Sequence, residues 1–92
     1  MTVSKTYHVI IDKRANKQLK KLDPFVRSTI LQWLDKNIEG TNNPWSHGKG
    51  LTANHSGEWR YRVGDYRILC YIKDNIVTVE VFSIGHRKEI YD

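Results

Sequence analysis

Disulfide chemistry is the first thing this chain lacks. Cys70 is its only cysteine, so no internal bridge can form, and a reducing, cytoplasmic setting is expected. No apolar run approaches the roughly 20 residues of a membrane span. The opening Met1-Thr2-Val3-Ser4-Lys5-Thr6 has none of the apolar stretch of a secretory signal. His47 and His55, taken with Cys70 and His86, show no close zinc-site spacing, so no metal or other cofactor is expected. Gly48-Lys49-Gly50 is far too little for a phosphate-binding loop. Acidic residues are also short, ten against fifteen Lys and Arg, for a net charge of +5. That balance suits nucleic acid, an anionic surface or an acidic protein partner.

At 92 residues the chain makes one domain, 1–92, with a small core. Tyr7 to Ile11 reads as a strand, with His8 a structural residue within it. Asp12 is a good N-cap for a helix from Lys13 to about Leu22, whose Ala15, Leu19 and Leu22 share one face. Its other face carries Lys13, Arg14, Lys17, Lys20 and Lys21, a solvated row or a grip on an RNA backbone. Asp23-Pro24 restarts the chain as N-cap and first helical residue. The second helix runs to about Glu39, with Val26, Ile30, Trp33, Leu34, Asn37 and Ile38 on one side and Gly40 closing it. Residues 41–56, rich in Asn, Gly, Ser, Thr and His, read as a long loop, a class of segment that is disproportionately functional.

Three strands are expected next, Glu58–Val63, Tyr66–Lys73 and Ile76–Ser83, joined at Gly64-Asp65 and Asp74-Asn75. Gly64 supplies the positive φ of a type II′ turn, which sets Val63 opposite Tyr66 and Arg62 opposite Arg67. Trp59, Tyr61, Val63, Tyr66, Ile68, Cys70, Ile72, Val77, Val79 and Val81 then form one apolar face. The other face carries Arg60, Arg62, Arg67, Leu69, Tyr71, Thr78, Glu80 and Phe82. Like charges facing each other destabilise a sheet, so the three arginines either are held apart on a solvated outer face or point to a polyanion, a phosphate-rich ligand above all. Cys70 falls on the core side without a base, which argues against a thiol nucleophile. Gly85-His86-Arg87 leaves the last strand at the rim of the arginine face. His86 suits acid–base work near neutral pH, and Arg87 suits stabilisation of developing phosphate charge. The fold expected is α+β: a small, twisted, mainly antiparallel sheet packed on an N-terminal helical hairpin.

The order strand, two helices, three strands, with Gly48-Lys49-Gly50-Leu51, Trp59-Arg60-Tyr61-Arg62-Val63-Gly64-Asp65-Tyr66-Arg67 and Ile84-Gly85-His86-Arg87-Lys88-Glu89-Ile90-Tyr91, resembles the RelE/ParE superfamily of bacterial toxins. It looks more like the RelE branch, given the basic face and the terminal tyrosine. The resemblance implies a type II toxin that enters the 70S ribosome and cuts mRNA in the A site. In that reaction the substrate's own 2′-OH attacks the adjacent phosphate, leaving a 2′,3′-cyclic phosphate and a 5′-OH without a metal. By resemblance Arg67 contacts the phosphate, Arg87 stabilises charge or protonates the leaving oxygen, and Tyr91 matches the C-terminal tyrosine. Arg60, Arg62 and Lys49 bind substrate. Arg60 and Arg62 stand where the best-known member has lysines, and a guanidinium cannot serve as a base. The general base therefore falls to His86 or Tyr91. The implied partners are a cognate antitoxin, the ribosome and its mRNA, with no membrane. A ParE-like inhibitor of DNA gyrase and an inactive antitoxin-binding member are the alternatives.

Overall fold

Two aspartates start the helices. The Asp12 carboxylate accepts from the Ala15 N–H at 2.8 Å, opening α1, Lys13–Lys20. Asp23 accepts from the Phe25 N–H at 2.9 Å and, with Pro24 in the first turn, opens α2, Pro24–Asn37. These elements belong to a computed structural model that describes residues 5–50 and 57–88. Before α1 comes β1, His8–Ile11. After α2 come β2, Lys49–Gly50, β3, Glu58–Val63, β4, Tyr66–Lys73, and β5, Thr78–His86. The end of α2 is tied to the start of β1 by Gly40 N–H to Tyr7 O and Tyr7 N–H to Thr41 O, both 2.8 Å.

The five strands form one sheet in the order β1-β5-β4-β3-β2. Only β1 and β5 run parallel; the other pairs are antiparallel. Ala15 and Leu19 from α1, with Ile30 and Leu34 from α2, are buried in one core with Ile68, Cys70, Val79 and Val81 from the sheet. Full burial of each large aliphatic side chain contributes roughly 1.5–3 kcal/mol. The α+β class, the helical hairpin and the mainly antiparallel sheet are as the sequence led us to expect.

Several boundaries differ from the sequence reading: α1 ends at Lys20 and α2 at Asn37, each about two residues early, and the largest differences lie in β5 and the long loop. Asp74–Ile76 is a turn of 3-10 helix, and Val77 has a φ of 49°, left-handed and rare for a β-branched residue. The turn is thus longer than Asp74-Asn75 alone, and β5 begins at Thr78. Cys70 then pairs with Val81 while Leu69 pairs with Ser83, so Phe82 is the extra residue of a β-bulge. The bulge reverses the alternation beyond it. Ile84 turns to the core, where it is 2% exposed, and β5 continues to His86. The expected long loop also contains structure: a 3-10 turn, Pro44–Ser46, and then β2. The rest of it, residues 51–56, lies outside the described residues.

Candidate phosphate-binding site

The tip of the β3–β4 hairpin sets the arginines. Gly64 has a φ of +60°, and Asp65 is not among the residues of positive φ, as a type II′ turn requires. Val63 pairs with Tyr66, Arg62 with Arg67 and Arg60 with Leu69. Arg60, Arg62 and Arg67 therefore share the face opposite Tyr61, Val63 and Ile68, as the alternation implied.

The fourth cation arrives on β2. Gly48, with φ +72°, passes so close to β3 that a Cβ on it would lie 2.1 Å from the Arg60 carbonyl oxygen. Only glycine fits there. Lys49 then pairs with Arg60. The approach is held by Tyr61 Oη donating to Pro44 O and Trp59 Nε1 donating to His47 O, each at 2.6 Å. Gly48, Lys49, Arg60, Arg62 and Arg67 line a cleft of about 210 Å³. Arg60 is only 8% exposed, so the arginine face is closed on its β2 side. A larger hollow of about 440 Å³ on the outer side of α2 includes Arg27 and Asp35, but no set of like charges converges there.

Crowding is visible in the electrostatics. Partial burial, and after it the charges of Arg60, Arg62 and Arg87, lower the pKa of Arg67. A guanidinium stays protonated regardless, so the shift records burial first and, after it, a repulsion among these cations that an anion in the cleft would relieve. Arg87 lies one position past β5. Its backbone N–H donates to Asp65 O at 2.8 Å, and its Nε stands 3.9 Å from Asp65 Oδ1. The hairpin tip thereby holds Arg87 beside the cleft.

His86 is not brought together with the arginines. It pairs with Tyr66, while Gly85 pairs with Arg67, and its ring stands edge-on to Tyr66 at 5.4 Å. That is the helix-side face. The bulge at Phe82 is the cause, since uninterrupted alternation would have turned His86 to the arginine face. The same reversal aims Arg87 toward that face. Tyr91, the other candidate base, lies outside the described residues, as does His55. His47 packs edge-on against Trp33 at 5.5 Å. Cys70 is buried, and burial pushes its thiol pKa up, as suits a core residue rather than a nucleophile. Among the described residues, no three of His, Cys, Asp or Glu are grouped to hold a metal ion.

Further along the arginine face, Tyr71 and Phe82 stack with centroids 4.4 Å apart and planes 25° apart. Both residues were legible on this face in the sequence. Their contact was not, because the bulge that brings Phe82 toward Tyr71 leaves no local signal.

A model of the family described as ParE toxin of type II toxin-antitoxin system, parDE, matches residues 9–91. The toxin RelE of Mycobacterium tuberculosis is 31% identical over 85 residues, covering 92% of this chain and 86% of that protein. The toxin RelG of the same organism is 29% identical over 85 residues, covering 92% and 95%. A chain of the toxin-antitoxin complex RelBE2 from Mycobacterium tuberculosis superposes with a TM-score of 0.78 at 28% identity, covering 89% of this chain and 99% of that one.

Proposed function

The chain belongs to the RelE/ParE superfamily of type II toxin-antitoxin toxins, and on that premise we propose that it is a metal-independent endoribonuclease that cuts mRNA in the ribosomal A site and is neutralised by a cognate antitoxin. The observation that carries this reading is the convergence of Lys49, Arg60, Arg62 and Arg67 on one cleft, with Arg87 held at its rim by the hairpin tip. Cleavage by an internal 2′-OH asks little else of a protein. The 2′ oxygen bonds to the adjacent phosphorus, the bond from phosphorus to the 5′ oxygen breaks, and charge accumulates on the phosphoryl oxygens between. Preorganised cations stabilise that charge most when it is greatest. Arg62 and Arg67 grip the phosphate, Arg60 forms the floor, Lys49 stands on the β2 wall, and Arg87 steadies the leaving 5′ oxygen, which takes its proton from water. The proton of the 2′-OH must go to a base other than a guanidinium. With His86 on the far face of the sheet, Tyr91 takes that role. The solved RelBE2 complex of a relative supports an antitoxin partner.

The family description as a ParE toxin favours a second reading, gyrase inhibition without RNA chemistry. One experiment separates the two. The purified chain is added to ribosomes programmed with a defined mRNA, to the naked mRNA, and to a gyrase supercoiling assay. Cuts within the A-site codon, mapped by primer extension and dependent on the ribosome, are expected. Loss of supercoiling with intact mRNA would establish the second reading instead.

A further inference from the structure

The arginine face is polarised along its length. The pairs nearest the hairpin tip are Arg62–Arg67 and Arg60–Leu69. At the other end Tyr71 pairs with Glu58 on one side and Glu80 on the other. At that end, and still solvent-accessible, sits the Tyr71–Phe82 stack. Tyr71 is 37% exposed, although a ring of its size is ordinarily well buried. Glu80 is engaged by Lys73 at 2.6 Å. Four strand positions separate Arg67 from Tyr71, about 13 Å at ~3.3 Å per residue.

A nucleotide is polarised in the same sense. Its phosphate is anionic, and its base is a neutral plate whose exocyclic amino groups donate to carboxylates. At the Tyr71 end Glu58 and Glu80 stand with Lys73, so no excess of cations favours a phosphate there, and a base is tolerated. Phe82 backs Tyr71 and fixes its plane, so the platform costs little ordering when a base lands on it.

We infer that the Tyr71–Phe82 stack is a platform for a base of the RNA strand whose neighbouring phosphate the arginine cleft holds. The inference rests on the RNA reading above and adds to it a strand-positioning surface remote from the cations of the cleft. Stacking of a base on an aromatic ring is tolerant of sequence but sensitive to loss of the π-face. Tyr71 is then a positioning residue, one that fixes how far the strand is splayed beside the phosphate under attack.

The test uses a short single-stranded oligoribonucleotide with 2-aminopurine placed at each position in turn. Binding and fluorescence quenching are measured for the wild-type chain and for Tyr71→Ala, Tyr71→Leu and Tyr71→Phe, with thermal melts to verify folding. One position should be quenched by the wild type and by Tyr71→Phe. Tyr71→Ala should lose that quenching and bind roughly 5- to 150-fold more weakly, the range for one stacked base. Tyr71→Leu keeps apolar bulk on the sheet without the ring and should behave as Tyr71→Ala. An abasic site at the quenched position should bring wild type and Tyr71→Ala to equal affinity. Unchanged RNA binding in Tyr71→Ala, with binding still lost in Arg67→Ala, would overturn the platform and leave the RNA reading standing. Unchanged RNA binding with loss of a protein partner would assign the patch to that partner and overturn the inference too. If the wild type neither binds the oligonucleotide nor cuts mRNA on the ribosome, the RNA reading and the platform fall together.

Discussion

On the proposed reading, arginine at positions 60, 62, 67 and 87 suits this site to binding and charge stabilisation rather than proton transfer. Each guanidinium offers a planar fork that meets phosphate oxygens in pairs and never releases its proton under ordinary conditions. Arg67 sits at the centre, since the charges of Arg60, Arg62 and Arg87 all act on it. Arg67→Ala and Arg87→Ala are expected to lower the single-turnover cleavage rate on programmed ribosomes roughly 10²–10³-fold, the loss typical of one preorganised donor. Neither side chain is a core contact, so denaturation midpoints should stay close to wild type. His86→Gln provides the contrast. Its ring lies against Tyr66 on the helix-side face, so the rate and its pH profile should remain near wild type. Tyr91→Phe should instead flatten the alkaline-rising part of the profile. The opposite pattern, a changed profile in His86→Gln alone, would require the base to act from the far side of the sheet and would reject the assignment to Tyr91.

At the scale of elements, β1 presents the outer edge of the sheet, a place where unpaired backbone groups invite foreign strands. Glu39 covers part of it: Oε1 accepts from the Val9 N–H at 2.8 Å, and Oε2 meets His8 Nδ1 at 2.9 Å. The backbone bond from Val9, followed by the hydrogen bond with His8, lowers the pKa of Glu39. A carboxyl whose folded pKa lies below its unfolded value binds fewer protons folded than unfolded. Its contribution is therefore complete above about pH 4.3, the ordinary glutamate value, and is lost as pH falls through the folded pKa. Urea midpoints measured from neutral pH into acid should decline less steeply in Glu39→Gln, whose amide oxygen still accepts from Val9. Equal slopes in the two proteins would show that Glu39 is not coupled to folding. How much was legible in the sequence follows from how local each element is. The β3–β4 hairpin and both helices were legible because Gly64, Asp12, Asp23 and Pro24 act within a few residues of themselves. The start of β5 was not, because Val77 adopts a left-handed conformation against its own preference. Nor was the face of His86, which a single bulged residue reverses. The short β2 owes its place to contacts made far away in sequence, from Tyr61 and Trp59. The candidate cleft was accordingly legible in its arginines and less so in its β2 wall.

Over the whole molecule, a net charge of +5 is spread over two basic surfaces that ought to behave differently. One is the cleft, where cations converge on a single hollow. The other is the row on α1, where Lys13, Arg14, Lys17 and Lys21 line a broad, open hollow of about 520 Å³. The two are joined through Gln18, whose Oε1 accepts from the Ile84 N–H at 2.7 Å, one residue before the Gly85 that pairs with Arg67. Salt dependence separates them. Each phosphate neutralised on a single strand contributes about −0.7 to the slope of log K against log salt. For an oligonucleotide just long enough to fill the cleft, Arg62→Ala should make the slope shallower by about 0.7, while Tyr71→Ala, which removes stacking and no charge, should weaken binding at unchanged slope. Lys13→Gln combined with Lys17→Gln should alter neither affinity nor slope for that short strand, because the α1 row is a solvated face. A shallower slope in the lysine variant would extend the RNA path around the end of β5 and onto α1. It would make the second basic surface part of the same binding track.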